Sequence, residues 1–528
     1  MTENKAAERT TITASDRTPY CPVERLSGTC GRPIHPAPAH DETRVCLMHS
    51  RDPQKAPEFQ EEFDAILKAA AESDTVADFT GFVFPSANYG NREFPAKCSF
   101  SHAIFTRNAI FSGASFTQDA IFSGATFTRN AIFSDATFKQ DAYFYAAEFT
   151  QEARFWRATF TREANFDGAT FTQEANFGFA TFKQGADFRS AKLRQKAIFM
   201  YAKFLASAVF RETKFRGDPE LKSETEEHEP NDKVPGPIFC MAEFSHPEAI
   251  VFYKTYLGQA LFHNCDVSRV TFSSVEWRRR VLWRTRVVWR TRKRTGKRML
   301  FEQEVDLKDK CASALVPDQN SHDERDYDLI AELYRQLNKN YDERKDYSAA
   351  GDFHYGAMEM KCRHSRSRRP WVRRLHQHLG WAAWYKYASS YGESYLRPLW
   401  LLAAVLVAFM LLYPWAGLRT VPPAFTAVTQ QATPAMPSTE LSYCHFGEFV
   451  HAHPGPKWMG QYISPRWIGR VAFFFHSGMT TLAVASFQRD LGYEPLYPWG
   501  RALALVQLVL TSTLIALFLL ALRRQFRR

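Results

Sequence analysis

Residues 109–138 read AIFSGASFTQDAIFSGATFTRNAIFSDATF. Phenylalanine recurs there at alternating steps of five and six residues, and an alanine stands two positions before every phenylalanine. The same register runs from Phe105 to Phe210, with Leu193 in one phenylalanine slot. The unit is therefore A-x-F followed by two or three spacer residues, with a true period of 11 residues.

This period predicts short strands rather than a helix. Eleven residues also make three helical turns, but phenylalanines five residues apart on a helix point about 140° from each other and form no single apolar stripe. On a strand, the alanine and the phenylalanine lie on one face. The spacers are mostly Thr, Ser, Gly, Asn and Asp, which favour tight corners. The stretch thus predicts a β solenoid with a core of stacked Phe and Ala.

At residues 98–217 the sequence resembles the pentapeptide-repeat family, and the pattern resumes weakly over 242–272. The resemblance implies a right-handed quadrilateral β-helix. Every second unit here has six residues, so we expect one extra residue at alternate corners. Four sides would need about 22 residues per coil and rise about 4.8 Å. We assign the solenoid to residues 98–276 and interpret the acidic stretch 218–236 as a loop.

The segment before the repeat suggests a metal site. Residues 1–57 contain a C-x8-C-x15-C-x2-H pattern, and residues 58–97 lead into the repeat. Three thiolates and one imidazole form a normal tetrahedral shell for structural Zn²⁺, and this polar, proline-rich sequence needs a metal to fold. An unmetallated tail is the alternative, and His35 or His40 could compete as ligands. The predicted ligands are Cys21, Cys30, Cys46 and His49.

Charge, cysteine content and missing motifs disfavour a disulfide-rich secreted protein, a DNA mimic and an enzyme. The 528-residue chain has a net charge of +11 and nine scattered cysteines, which predicts a reducing, cytoplasmic environment for the repeat. The region 98–217 holds 15 basic and 10 acidic residues. It therefore lacks the negative surface of DNA-mimicking pentapeptide-repeat proteins. No phosphate loop, nucleophile elbow or H-E-x-x-H motif occurs in the sequence, so we do not expect an enzyme.

A strongly basic segment follows the repeat. Residues 277–298, within a linker region 277–322, hold eleven basic residues and three tryptophans. Arginine with tryptophan suits an anionic lipid surface and, less favoured here, single-stranded nucleic acid. A degenerate end of the solenoid is the third interpretation. The patch residues are Arg278, Arg279, Arg280, Arg284, Arg286, Arg290 and Arg292.

Helical segments complete the chain. Leucines at four-residue spacing predict an α-helical hairpin over 323–364 that packs on the solenoid or on the basic segment 365–397. The uncharged runs 398–417 and 501–522 are long enough to be two transmembrane helices. Basic residues flank both runs, including the tail 523–528. They predict a multi-pass protein of the inner (plasma) membrane, with both termini and the repeat cytoplasmic.

The outer segment 418–500 contains an aromatic, pore-like helix predicted over 466–486. With the two spans, this layout resembles the two-transmembrane potassium-channel module, whose filter is T-V-G-Y-G-D. Both filter glycines are alanine here, so the resemblance does not carry potassium selectivity. The residues in the filter position are Thr480, Thr481, Leu482, Ala483, Val484 and Ala485.

Gln507 and Thr511 lie four residues apart on the second span, where they would either line water or join helices. A pore would require a homo-tetramer or another homo-oligomer, because two spans cannot enclose one. Three functions therefore stay open. They are a channel-like protein whose cytosolic solenoid senses a partner protein, a non-conducting membrane-anchored scaffold, and a membrane-tethered nucleic-acid-binding protein.

Overall fold

The fold is given by a computed structural model that describes residues 20–25, 28–35, 44–222, 236–287, 290–303, 327–363, 380–416, 418–420, 442–443, 457–458, 461–462, 477–486, 493–495 and 498–526. The chain divides into two compact units, Met1–Lys361 and Cys362–Arg528.

The first unit is built on a parallel β-solenoid of about eight turns, which confirms the predicted fold class. Its strands form four sheets of nine, seven, seven and seven strands, one on each face. Face 1 consists of Val76–Asp78, Lys97–Ser99, Ala120–Ile121, Ala142–Tyr143, Ala164–Asn165, Ala186–Asp187, Ala208–Arg211, Ile250–Tyr253 and Thr271–Ser273. Face 2 consists of Val83–Phe84, Ile104–Phe105, Thr126–Phe127, Glu148–Phe149, Thr170–Phe171, Lys192–Leu193 and Lys214–Phe215. Face 3 consists of Ala87–Asn88, Ala109–Ile110, Ala131–Ile132, Ala153–Arg154, Ala175–Asn176, Ala197–Ile198 and Pro237–Ile238. Face 4 consists of Glu93–Phe94, Ser115–Phe116, Thr137–Phe138, Thr159–Phe160, Thr181–Phe182, Lys203–Phe204 and Glu243–Phe244.

The register shows a coil of 22 residues, because Phe116 pairs with Phe138 and Phe138 pairs with Phe160. Rings one coil apart stack in parallel, as Phe116 and Phe138 do with centroids 5.0 Å apart. Rings on opposite faces meet edge to face, as Phe122 and Phe133 do at 5.5 Å. The alanines and phenylalanines of the repeat are buried throughout.

The corners alternate in length, as the spacing predicted. The longer corners carry threonine, and the hydroxyl of Thr128 donates a hydrogen bond of 2.8 Å to the carbonyl of Phe105 in the coil before. The shorter corners need a positive φ, such as +66° at Gly124, where a Cβ would lie 2.6 Å from the His102 ring. Threonine therefore recurs at the longer corners because its hydroxyl bonds to the preceding coil, and glycine recurs at the shorter corners because it adopts a positive φ.

The solenoid begins earlier than the repeat count indicated and is interrupted once. Its first coil starts at Val76, inside the segment interpreted as a lead-in. Ala197 pairs with Pro237, which is 40 residues away rather than 22. Extra chain therefore leaves the coil after the strand Lys214–Phe215, and it begins with the short helix α2 (Pro219–Lys222). Residues 223–235 of the acidic stretch lie outside the described residues.

The first coil is covered by helix α1 (Ala56–Ser73), which follows a 3-10 turn at Pro53–Lys55. Its apolar face buries Phe59 and Phe63, and the Phe63 ring stacks on Phe79 with centroids 4.4 Å apart. The chain before α1 holds a short hairpin, Glu24–Arg25 with Gly28–Thr29. This end of the solenoid is therefore closed by an apolar helix.

The last coil is covered by the predicted helical hairpin, α3 (Tyr327–Glu343) and α4 (Tyr347–Arg363). The Asn340 amide donates to the carbonyls of Val267 and Val270, at 3.0 and 2.7 Å. The two helices approach closely at Gly356, where a Cβ would lie 2.3 Å from the Tyr334 ring. The basic segment between solenoid and hairpin forms two antiparallel strands, Arg279–Val287 and Arg290–Arg298, followed by the 3-10 turn Phe301–Gln303.

Glu302 completes the backbone hydrogen bonding of the last coil. In earlier coils the corresponding amide donates to the next coil, as Phe199 N does to the carbonyl of Ile238 at 2.7 Å. Phe262 N instead donates to Glu302 Oε1 at 2.6 Å. The side chain is fully buried, and Oε2 has no partner among the described residues. This burial raises the pKa of Glu302 from its usual 4.5 to about 7.

The described residues of the second unit include the helices α5 (Trp381–Ser389), α6 (Leu396–Ala416) and α7 (Pro498–Phe526) and a further helical segment at 477–485. Short strands at Leu418–Thr420, Ser442–Tyr443 and Tyr493–Pro495 form one antiparallel sheet, and Lys457–Trp458 pairs with Gln461–Tyr462.

The phenylalanine stack predicts a graded response to truncation. Phe144 is fully buried between Phe122 and Phe166, at 5.0 and 4.9 Å. Phe144→Ala should lower the free energy of unfolding by about 3–5 kcal/mol. Phe144→Leu should cost less than half as much, because Leu193 already occupies an equivalent slot. Denaturant unfolding followed by circular dichroism measures both, and equal losses would contradict the account.

Glu302 predicts a pH dependence of stability. A carboxyl whose folded pKa is raised binds its proton more tightly in the folded state, so stability should fall as pH rises from about 4.5 to 7 and then level off. The total is about 3 kcal/mol. Glu302→Gln should remove this loss, whereas Glu148→Gln, at an exposed outward position, should keep it. Thermal unfolding between pH 4.5 and 8 measures the difference. An unchanged slope in Glu302→Gln would contradict the assignment.

Candidate functional site

The four predicted ligands lie together at the N-terminal end of the solenoid. Cys21 and Cys30 flank the hairpin at positions joined by backbone hydrogen bonds, since Cys30 N donates to Val23 O at 2.7 Å and Gly31 N donates to Cys21 O at 3.3 Å. Cys46 and His49 lie on one turn, which is closed by hydrogen bonds from His49 N and Ser50 N to Cys46 O. Local backbone geometry therefore brings together residues that are up to 28 positions apart.

The ligand atoms have the dimensions of a tetrahedral site. All four atoms lie within 4.8 Å of one another. The Sγ atoms of Cys30 and Cys46 are 3.7 Å apart, and His49 Nδ1 is 3.1 Å from Cys46 Sγ and 3.4 Å from Cys21 Sγ. Zn–S bonds of about 2.3 Å and a Zn–N bond of about 2.0 Å predict tetrahedron edges of about 3.5–3.8 Å. The sulfur separation is far from a disulfide bond.

The second nitrogen of His49 is fixed by the solenoid. His49 Nε2 lies 3.1 Å from the carbonyl oxygen of Thr80 in the first coil, and the ring meets Phe82 edge to face at 5.2 Å. In the neutral imidazole, an Nε2–H that donates to this carbonyl leaves the lone pair of Nδ1 facing the cysteines. Metal-binding histidines commonly use such an outer hydrogen bond to set their tautomer.

Of the two histidines that could replace His49 as a metal ligand, the structure describes one. His35 is turned toward Asp52, with Nε2 3.1 Å from Oδ2, and is not a member of the ligand cluster. His40 lies outside the described residues. The residue that engages His35 was not singled out by the sequence pattern, although Asp52 directly precedes a proline at a turn, which is a common signal for a capping aspartate.

The Cys21 and Cys46 thiols affect each other. A hydrogen bond from the Cys46 thiol lowers the pKa of Cys21, and the same pairing, together with burial, raises the pKa of Cys46. A metal ion bound at these sulfurs would displace the thiol protons. Lys55 holds the same loop through hydrogen bonds to the carbonyls of Leu47 and Met48, at 2.7 and 3.1 Å.

Comparison with known proteins identifies the repeat. A family described as pentapeptide repeats (9 copies) matches residues 100–148 and 144–192. Residues 100–192 are pentapeptide repeats. The pentapeptide-repeat solenoid is a structural scaffold fold. No curated protein and no solved structure matches the chain, and no family match supports the pore-loop resemblance of the C-terminal unit.

Among the residues that the structure describes, the C-terminal unit has two helices long and apolar enough to cross a membrane, over Leu396–Tyr413 and Trp499–Arg524. Many of their apolar side chains are exposed, including Trp400 at 73% and Val509 at 64%, whereas Phe409 and Leu514 are buried. The helices are antiparallel neighbours, since the Arg524 guanidinium near the end of α7 lies 3.0 Å from Glu393, which precedes α6.

Polar side chains are buried in this unit beside apolar ones such as Phe409 and Leu514. Tyr413 OH donates to Gln507 Oε1 at 2.6 Å, and Gln507 Nε2 donates to the carbonyl of Thr481 at 2.7 Å. Ser477 donates to the carbonyl of Met410, and Thr511 donates to Gln507 O at 2.9 Å. The 477–485 helix is therefore joined to both long helices by hydrogen bonds. Sequence reasoning singled out neither Tyr413 nor Ser477, although Tyr413 is a polar group within an apolar run.

The structure places the remaining predicted residues as follows. Thr480–Ala485 are helical, and Thr480, Thr481 and Ala483 are buried whereas Leu482 is exposed. Residues 466–476 lie outside the described residues. Gln507 and Thr511 are fully buried in the hydrogen-bonded network. The basic patch from Arg279 onward forms the two-stranded hairpin, with Arg278 immediately before it.

Proposed function

We propose that this protein is a membrane-anchored scaffold in which the C-terminal unit holds a cytosolic pentapeptide-repeat solenoid at the lipid surface. The observation that carries the proposal is the reversed polarity of the C-terminal unit. Val407 and Leu505 are more than half exposed, whereas Gln507 and Thr511 are fully buried. In water this arrangement would expose apolar surface that a soluble fold buries, whereas lipid solvates that surface while Gln507 and Thr511 are hydrogen-bonded inside the unit.

The orientation follows from charge. Arg523 and Arg524 end α7, and the contact of Arg524 with Glu393 puts the start of α6 on the same side. The sequence adds further arginines between α4 and α5. Positive residues favour the cytosolic side of a membrane, so both termini and the solenoid face the cytosol.

The basic hairpin, Arg279–Val287 with Arg290–Arg298, supports a second contact with the same membrane surface. Residues 277–298 contain eleven basic residues and no acidic residue. Each basic residue near an anionic surface contributes about 1 kcal/mol. A protein partner for the solenoid is favoured over nucleic acid, because its surface is only mildly basic and has no strong field of either sign. Tight, steeply salt-dependent binding of nucleic acid to the whole chain would contradict that choice.

Membrane extraction and proteolysis test the anchor. The full chain should stay with membranes at alkaline pH and should be released by detergent. In nanodiscs, trypsin should cut the hairpin slowly when phosphatidylserine is present and rapidly when the lipid is phosphatidylcholine alone, because cationic side chains bind the anionic surface. Raised salt should abolish the difference. Release at alkaline pH would contradict the anchor.

We also propose that Cys21, Cys30, Cys46 and His49 hold a structural Zn²⁺. Four protein donors leave no open position for substrate, so the ion would act by joining the N-terminal segment to the first coil through His49. When bound, the metal supplies folding free energy to a segment that has little apolar core of its own.

Metal analysis tests the zinc proposal. The purified chain should contain one zinc per molecule, and Cys46→Ser should lose it and lower the melting temperature. Cys98→Ala is the matched control, because Cys98 occupies an alanine slot of the repeat and should leave zinc unchanged. Absence of zinc from the unsubstituted chain, or its retention in Cys46→Ser, would contradict the assignment.

A second function, a pore, is favoured by one observation. The 477–485 helix packs against both long helices, as a re-entrant helix would. Conduction would require several copies of the chain. Native mass spectrometry in detergent decides between the functions. A tetramer or similar ring would support a pore and justify flux assays on Thr480 and Thr481 variants, whereas a monomer or dimer would leave the anchored scaffold.

A further inference from the structure

We propose that a cavity of about 380 Å³ at the C-terminal end of the solenoid binds a small phosphate monoester. The cavity lies between the last coil, the end of the basic hairpin, and the turn that joins α3 to α4. Its walls are formed by Phe272, Ser273, Ser274, Val275, Trp277, Arg298, Tyr341, Arg344 and Asp346. The inference does not depend on the membrane anchor or on the zinc site.

Arg344 is a fixed cation without a counter-charge. Its guanidinium donates to the carbonyls of Phe272 and Val270, both at 3.0 Å. Among the residues that the structure describes, no carboxylate lies within ion-pair distance of it, and two of its five N–H groups account for the contacts given. Arg344 is exposed as a whole, and partial burial of its guanidinium lowers its pKa. Such a group favours an anion at the adjoining cavity.

The other charges in the wall are already paired or stabilised. Arg298 lies 3.0 Å from Asp352 in α4. Asp346 accepts a hydrogen bond of 3.1 Å from Ala349 N in the first turn of α4, where the helix dipole also favours a negative charge. Among the described residues, Arg344 is therefore the wall arginine without an ion-pair partner, while the Asp346 carboxylate keeps its negative charge and is held by Ala349 N.

Neutral donors complete an anion site. Tyr341 OH accepts a hydrogen bond of 2.8 Å from Trp277 Nε1, which leaves the tyrosine proton to donate elsewhere. The hydroxyls of Ser273 and Ser274 lie in the same wall. A guanidinium with several hydroxyl donors matches the tetrahedral oxygens of phosphate.

Size and shape set the ligand class. The cavity is at the lower end of the range for small-molecule sites, so it suits a phosphate with one small organic group. Phe272 and Trp277, which are 3% and 6% exposed, line the same cavity. The same monoester chemistry occurs in free nucleotides and in the headgroup of phosphatidic acid, and both sources are open to a site at the base of a basic hairpin.

Titration of the full-length protein with both sources tests the proposal. AMP is titrated by calorimetry in detergent, with adenosine as the control, and phosphatidic acid is compared with phosphatidylcholine in nanodiscs. We expect binding of at least one monoester, weakened about tenfold or more in Arg344→Gln, because a charge-assisted hydrogen bond is lost. Lys339→Gln removes the same charge from an exposed position on α3 and should leave the affinity unchanged.

Each outcome decides the proposal. Binding of AMP identifies a free monoester, and binding of phosphatidic acid that AMP does not displace identifies a lipid headgroup. Binding of neither monoester, or equal affinities in Arg344→Gln and the unsubstituted chain, would overturn the site. If Arg344→Gln fails to fold because it loses its two carbonyl contacts, Tyr341→Phe takes its place. That variant should weaken binding several-fold, and an unchanged affinity would overturn the site.

Discussion

Buried hydrogen-bonding groups must be paired, and this requirement shapes both units of the chain. Within the solenoid, the backbone N–H and C=O groups of each coil pair with those of the neighbouring coils, so the interior needs no polar side chain and is filled mainly by alanine and phenylalanine. The two ends have no neighbouring coil, and their open backbone groups would be costly in an apolar interior. At the N-terminal end, His49 Nε2 is hydrogen-bonded to the carbonyl of Thr80. At the C-terminal end, the Glu302 carboxylate accepts a hydrogen bond from Phe262 N, and the Asn340 amide donates hydrogen bonds to the carbonyls of Val267 and Val270.

This requirement explains why the candidate sites lie where they do. The metal cluster and the phosphate cavity occupy opposite ends of the solenoid, where the repeat stops and side chains with polar groups replace it. The faces of the coils carry outward side chains of mixed size and charge, such as Thr126, Arg154 and Lys203, together with regular corners, and they suit a spacer or an interaction surface. In the C-terminal unit, the same pairing rule holds the 477–485 helix to α6 and α7 through Gln507 and Tyr413.

The repeat was predictable because its information is local and redundant. Each A-x-F unit sets one strand, and the alternation of five and six residues sets the corners, so coil length and stacking followed from spacing alone. The first coil was missed because Phe82 and Tyr89 disturb the spacing there, although Ala77 and Phe79 still fit A-x-F. The end caps were not predictable in detail, since Asn340 contacts Val267, which lies 73 positions earlier in the sequence.

The Cys3His cluster was predictable from the sequence in part, less fully than the repeat and more fully than the end caps. The residue types predicted the members of the Cys3His cluster, but the first two spacings are too long to define a site until the hairpin brings Cys21 and Cys30 together. The choice between His35 and His49 required the structure, because it depends on Asp52 and on the carbonyl of Thr80. For the C-terminal helices, apolar length was evident in the sequence, whereas the inward direction of Gln507 was not.

The central claim is that the apolar outer surface of α7 lies in lipid while its polar face is enclosed by protein. Spin labels on single introduced cysteines at positions 505, 507, 509 and 511, in the protein reconstituted into bilayers, measure this directly. The account predicts high accessibility to oxygen and low accessibility to an aqueous nickel chelate at Leu505 and Val509, with low accessibility to both reagents at Gln507 and Thr511. High nickel accessibility at Leu505 and Val509 would place this helix in water and contradict the account.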